Sequence, residues 1–183
     1  MTVEPPVTSR PKRGLVLVIT GNGKGKTTSA LGQALRAIGH GYRVCMVQFM
    51  KGKQYGEVIA AEKYLPNFKV FQYGLDSFVM RDNPAPIDVE LARQGLEMAR
   101  RLIRSKEYDM IILDEINVAL DFNLIPLEEV LELVRSKPPE LDLVMTGRYA
   151  PEQLRQLADM VSEVQEIKHH YASGIKSREG IEY

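Results

Sequence analysis

The sequence predicts an α/β protein, a mostly parallel sheet with helices on both faces. Three observations predict it. The apolar run Leu15-Val16-Leu17-Val18-Ile19 stops at a glycine-rich loop, and a helix-period stretch follows. A second apolar run, Met110-Ile111-Ile112-Leu113, ends in two adjacent carboxylates, Asp114 and Glu115. Between and after these, short apolar runs alternate with helix-period stretches, the order that builds βαβ units.

Composition sets the outer bounds. The chain has 183 residues, enough for one domain with a substantial core. Apolar residues make up 44% and charged residues 26%, a globular balance that argues against disorder. Lysine plus arginine (24) equals aspartate plus glutamate (24), which argues against a general binder of nucleic acid or membrane surfaces. The single cysteine, Cys45, excludes an internal disulfide and, lying in an apolar run, reads as a buried thiol. There is no long apolar stretch and no signal-like start, so a cytoplasmic location is expected.

Taken in order, residues 1–13 carry Pro5, Pro6 and Pro11 with few apolar residues, and read as a flexible arm before a domain spanning 14–183. Residues 15–19 form the first strand; their unbroken apolar run suits a strand covered on both faces. Residues 28–38 are helical, with Ala30, Leu31, Ala34, Leu35 and Ile38 on one stripe, and Gly39-His40-Gly41 ends them. Residues 44–49 form the second strand. Residues 57–64 are helical and 68–73 a third strand. Residues 74–86 are irregular, with Phe78-Val79-Met80 as three apolar residues in a polar loop. These plug the core from above or floor an apolar ligand site. Residues 87–105 form the longest helix. Residues 108–117 hold the strand that carries the carboxylate pair. A helix over 126–136, a strand over 141–146, a short helix over 151–158 and a last strand over 161–167 complete the pattern. The tail, 168–183, contains His169 and His170, a poor metal pattern without nearby cysteine or carboxylate ligands.

The first loop, Thr20-Gly21-Asn22-Gly23-Lys24-Gly25-Lys26-Thr27-Thr28, has the form of a phosphate-binding P-loop, and with the alternating elements it predicts a P-loop (RecA-like) domain. Glycines let several backbone N–H groups converge on one anion. Lys26 supplies a charge for the phosphates, and the Thr27 hydroxyl is a ligand for Mg²⁺. The usual spacing asks for glycine five residues before Gly25, where Thr20 stands. Asp114 and Glu115, ending a buried strand, have the Walker B form and order the same ion. Lys51 and Lys53 follow the second strand, and Arg148 follows the strand over 141–146. All three sit at carboxyl strand ends, where ligands collect in such sheets. These motifs give an Mg-nucleotide binder. They do not give the reaction: a kinase, an ATPase and a non-catalytic binding module all use the same parts.

Several further segments carry a resemblance. The P-loop above, Val47-Gln48-Phe49-Met50-Lys51-Gly52, Leu113-Asp114-Glu115-Ile116, Thr146-Gly147-Arg148 with Ala150-Pro151, Lys168-His169 and Gly180-Ile181-Glu182-Tyr183 together resemble the P-loop class of ATP:corrinoid adenosyltransferases, from about Gly14 onward. The resemblance implies transfer of the 5′-deoxyadenosyl group of ATP to a cobalt(I) corrinoid, with triphosphate leaving, in synthesis or salvage. It implies that Gly21, Asn22, Gly23, Lys24, Gly25, Lys26, Thr27 and Thr28 hold the phosphates, with Lys51 and Arg148 as further contacts. It implies that Thr27, Glu115 and Asp114 place Mg²⁺, that Lys26, Thr27 and Glu115 are the catalytic set, and that Phe78 borders the corrinoid. It also implies a homodimer, an electron donor protein that supplies cobalt(I), and an N-terminal segment covering the corrinoid. The family usually shows a Phe-Thr-Trp segment where this chain reads Phe78-Val79-Met80, and the chain has no tryptophan. His170 stands where proline is common.

Overall fold

The computed structural model describes residues 13–183, so the expected N-terminal arm, apart from Arg13, lies outside the described residues. Six strands form one sheet: β1 (Val16–Thr20), β2 (Val44–Phe49), β3 (Phe68–Tyr73), β4 (Met110–Asp114), β5 (Asp142–Thr146) and β6 (Met160–Glu163). Their order is β3-β2-β4-β5-β1-β6, and every pairing is parallel. The glycine-rich loop leaves β1 and the carboxylate pair ends β4, with β5 between them. That arrangement is the expected RecA-like P-loop fold.

Alternation along each strand sorts side chains into two cores, because successive residues point to opposite faces. Val16, Val18, Cys45, Val47, Phe49, Ile111, Leu113, Leu143 and Met145 pack with α3 (Pro86–Ser105), α4 (Ile116–Asp121), α5 (Leu127–Arg135) and α6 (Glu152–Leu157). Ile19, Val44, Met46, Met110, Ile112 and Val144 face the other way, onto α1 (Lys26–Gly39) and α2 (Gly56–Tyr64). α1 meets that face with Ala30, Ala34 and Ala37, small side chains at helical spacing that let the helix lie close to the sheet. All residues of β2 and β4 are buried, as expected of central parallel strands, whereas β6 is exposed along its length at one edge. α3 starts where the sequence says it should. Pro86 occupies its first turn, and Asp88 accepts a hydrogen bond from the Ala85 N–H at 3.1 Å.

Three expectations need correction. The strand expected to end in both carboxylates ends at Asp114, and Glu115 lies just outside it. Glu115 takes a left-handed backbone (φ 62°), which stops the strand and caps α4, a six-residue helix too short to show a period. The last strand ends at Glu163, and residues 164–167 leave the sheet to back the glycine-rich loop. Phe78 and Met80 do not plug the core: both are exposed, and only Val79 packs against it.

Candidate functional site

Parallel strands place all their carboxyl ends on one edge of the sheet, and the motif residues gather there. The loop after β1 needs its glycines for two reasons. Gly21 and Gly25 have φ of 98° and 117°, the left-handed region that other residues avoid. Gly21 and Gly23 also lie against the segment after β6, where a Cβ would stand 2.4 Å from the Val164 carbonyl oxygen and 2.6 Å from that of Gln165. The Gly23 N–H donates to the Val164 carbonyl at 2.8 Å, which ties the loop to that segment. Thr20, where the usual motif has glycine, is buried, and its hydroxyl accepts from the Ala150 N–H at 3.2 Å. The off-pattern threonine therefore fastens the loop after β5 to the end of β1.

Lys26 begins α1. Its ammonium donates to the Gly23 carbonyl at 2.7 Å, inside its own loop. Burial depresses its pKa, and the nearby Glu115 carboxylate only partly opposes this. Asn22, Lys24 and Thr28 stand exposed on the loop and first helical turn. Lys24 reaches across to donate to the Ile181 carbonyl at 3.0 Å.

Asp114, wholly buried, is the hub. Its Oδ1 accepts from the Thr27 hydroxyl at 2.9 Å and the Thr146 hydroxyl at 2.6 Å. Its Oδ2 accepts from Lys51 Nζ at 2.7 Å and Gln48 Nε2 at 3.2 Å. Lys51 Nζ lies 3.5 Å from the Thr27 hydroxyl as well. Burial alone would raise the Asp114 pKa; the Lys51 charge and the hydrogen bonds outweigh it and hold the carboxyl below its ordinary value. The same pairing holds Lys51 above its ordinary value although burial pulls it down. Glu115 is pushed the other way, upward, first by burial and then by the Asp114 charge. Its N–H donates to the Thr146 hydroxyl at 3.0 Å, so one threonine fixes both carboxylate residues.

Two cavities flank Lys24 and Lys26. The larger, about 660 Å³, is lined by the glycine-rich loop and the start of α1, by apolar residues of α1 and α2 such as Leu31 and Ala60, by Lys51, Tyr55 and Glu115, and by the tail at residues 180–183. The smaller, about 490 Å³, is lined by Asn22, Gly23, Lys24, Lys26, Glu115 and Arg148, joined by Arg81, Val118, Phe122, Tyr149 and His169. The structure thus brings together Gly21 to Thr28, Lys51, Asp114, Glu115 and Arg148. Phe78 lines neither cavity and stands fully exposed. Lys53 turns to the tail, with Nζ 4.7 Å from the Tyr183 ring centre.

Several lining residues had no role assigned from sequence. Arg81 pairs with Asp121 at 2.8 Å and lies 5.6 Å from the Tyr149 ring, which moors the loop after β3 beside the smaller cavity. His169 borders both cavities and stacks on His170 at 4.5 Å. Nothing in a pattern of spacing reveals these. Only the motif character of Lys168-His169 and of the closing segment hinted at it.

The residues fit a divalent cation. A hydroxyl and two carboxylates are hard oxygen donors of the kind Mg²⁺ takes, and a positive group already lies between Thr27 and Asp114. Among the described residues no cluster of three His, Cys, Asp or Glu could hold a metal, so the Thr27 hydroxyl and oxygens from water or a ligand would have to join the carboxylates in any shell here.

Comparison with known proteins agrees with this chemistry. A family model described as ATP:corrinoid adenosyltransferase BtuR/CobO/CobP matches residues 12–183. The corrinoid adenosyltransferase of Escherichia coli (strain K12) is 36% identical over 176 residues, 96% of this chain and 88% of that protein. One from Sinorhizobium sp is 38% identical over 178 residues, 96% of this chain and 83% of that protein. The corrinoid adenosyltransferase CobA of Salmonella typhimurium (strain LT2) is 35% identical over 176 residues, with 96% and 88% covered.

Proposed function

The chain belongs to the ATP:corrinoid adenosyltransferase family, and on that premise we propose how its residues perform the transfer and which ion they use. The enzyme moves the adenosyl group of ATP to a cobalt(I) corrinoid. The cobalt attacks the 5′ carbon of ATP, the carbon–oxygen bond to the phosphate breaks, and triphosphate leaves with the bonding electrons. Cobalt(I) is itself the nucleophile, so the protein's tasks are alignment and stabilisation of the leaving charge.

The observation that carries the residue assignment is the meeting of Thr27, Lys51 and Asp114 beside Lys26 at the mouth of the glycine-rich loop. Backbone N–H groups of Gly21 to Thr28 receive the phosphates, together with the positive end of α1. Lys26 leaves its Gly23 carbonyl for them, and Lys24 and Arg148 add charge from the rim. Thr27, Asp114 and Glu115 would hold Mg²⁺, which when bound would supply neutralisation of the triphosphate. Phe78, exposed three residues before the cavity-lining Arg81, borders the corrinoid.

The electrons that make cobalt(I) come from a separate donor protein. The chain's one thiol, Cys45, is buried, with its pKa pushed up to about 12 by desolvation, so it is no reductant. A homodimer and a cytoplasmic location complete the proposal. The first rests on family resemblance. The second is compatible with the lack, among the described residues, of any helix long and apolar enough to cross a membrane.

An anaerobic assay with chemically reduced cobalamin, ATP and Mg²⁺ tests the reaction. A photolabile adenosylated product with inorganic triphosphate is expected. ADP and phosphate would instead place the chain among phosphoryl-transfer enzymes, and saturable binding without product would make it a binding module.

A further inference from the structure

A coordination position needs a free lone pair, and Asp114 has none: Thr27, Thr146, Lys51 and Gln48 take all of its acceptor sites. One partner must leave before any cation can bind the carboxylate. Thr146 is fixed, since it is buried and also accepts the Glu115 N–H. Gln48 is fixed too. It is buried, donates to Glu57 at 2.9 Å and accepts from Gln72 at 3.0 Å. Thr27 is to be a ligand itself. Lys51 alone is free to go. It sits on the loop after β2, its side chain keeps 16% of its surface, and it borders the larger cavity.

Its ammonium also stands where the ion belongs. It bridges Asp114 Oδ2 (2.7 Å) and the Thr27 hydroxyl (3.5 Å), two of the hard oxygen donors that would hold the ion. Two positive charges cannot share that buried gap. We propose that the Lys51 ammonium and the divalent cation are alternative occupants of one position between Thr27 and Asp114. Loading the ion then turns Lys51 out into the cavity, where it meets the triphosphate. This rests on the placement of the ion at Thr27 and Asp114 given above. The lysine thus acts as a resident counter-ion that keeps the buried carboxylate paired while the site is empty. The cavity beside it gives the displaced side chain somewhere to go, past the Tyr55 ring that already lies 5.4 Å from Nζ.

The test uses Mn²⁺ as the probe and the full chain without nucleotide, so that contacts to phosphate play no part. Binding is followed by the loss of the free-ion electron paramagnetic resonance signal. Lys51→Met, which keeps the side-chain length without the charge, is expected to bind Mn²⁺ about tenfold or more tighter than the unaltered protein. Asp114→Asn is expected to lose binding. Unchanged or weaker affinity in Lys51→Met, with binding still lost in Asp114→Asn, overturns the exchange and leaves the ion's placement intact. Full affinity in Asp114→Asn overturns the placement itself. A second readout needs no variant. Saturating Mn²⁺ is expected to raise the labelling of Lys51 by an amine-reactive reagent, measured by mass spectrometry against Lys69 as an internal standard. An unchanged ratio counts against displacement even if Lys51→Met fails to fold.

Discussion

Lys26 is buried, its ammonium donates to a carbonyl of its own loop, and burial depresses its pKa. A triphosphate would give that charge an anionic partner. Lys26→Ala removes a side chain that anchors no core residue, so the fold is expected to survive by circular dichroism while adenosyl transfer falls by a hundredfold or more, about 3 kcal/mol of lost electrostatic stabilisation. Phe78 presents the opposite case. Its ring is bare to solvent, so Phe78→Ala is expected to leave the melting temperature unchanged. The same substitution should raise the KM for the corrinoid more than that for ATP; equal effects would remove Phe78 from the corrinoid's surroundings. The motif residues could be read from sequence because their chemistry is local: an anion site needs glycine, lysine and threonine in a fixed order. The roles of Thr20, Thr146 and Gln48 were not legible, since each depends on a partner brought up from another strand.

Elements meet tightly where the loops after β2 and β3 cross. A Cβ on Gly74 would lie 2.3 Å from the Lys51 nitrogen and 2.5 Å from the Met50 carbonyl carbon, both backbone atoms that cannot step aside alone. Met50 itself has φ 57° and donates its N–H to the Tyr73 carbonyl at 2.8 Å, so the crossing is already constrained. Gly74→Ala is expected to cost about 1–3 kcal/mol in urea unfolding and to displace Lys51. Gly32, exposed in α1 with nothing within 4 Å, makes the control: Gly32→Ala should stabilise by about 1 kcal/mol. Long elements such as α3 announced themselves through period and proline. The six-residue α4 did not, because its start depends on Glu115 leaving the strand in a left-handed turn that no local preference for glutamate suggests.

Across the whole molecule the parallel order was legible because central strands must be apolar on both faces, and β2 and β4 are. The edge position of β6 was not, since a short strand's sequence does not say which neighbour it pairs with, and its residues lie exposed. Burial of Cys45 on β2, inside the sheet, gives stability a pH dependence. Its folded pKa, about 12, lies above the value near 8.5 expected for the unfolded chain, so the thiol's contribution is complete below that lower value and is lost as pH rises toward the higher one. Stability to urea is expected to fall with pH above about 8.5, at up to roughly 1.4 kcal/mol per unit from this group. Cys45→Ala should flatten that slope; an unaltered slope would assign it to other groups. The one-way run of the strands also divides the molecule into a working rim and an idle one. The turn at Gly39, His40 and Gly41, exposed and leading into the start of β2, lies on the idle rim. A dye or surface tether attached at His40 would hold the enzyme with its reactive edge outward, ready for single-molecule observation of turnover.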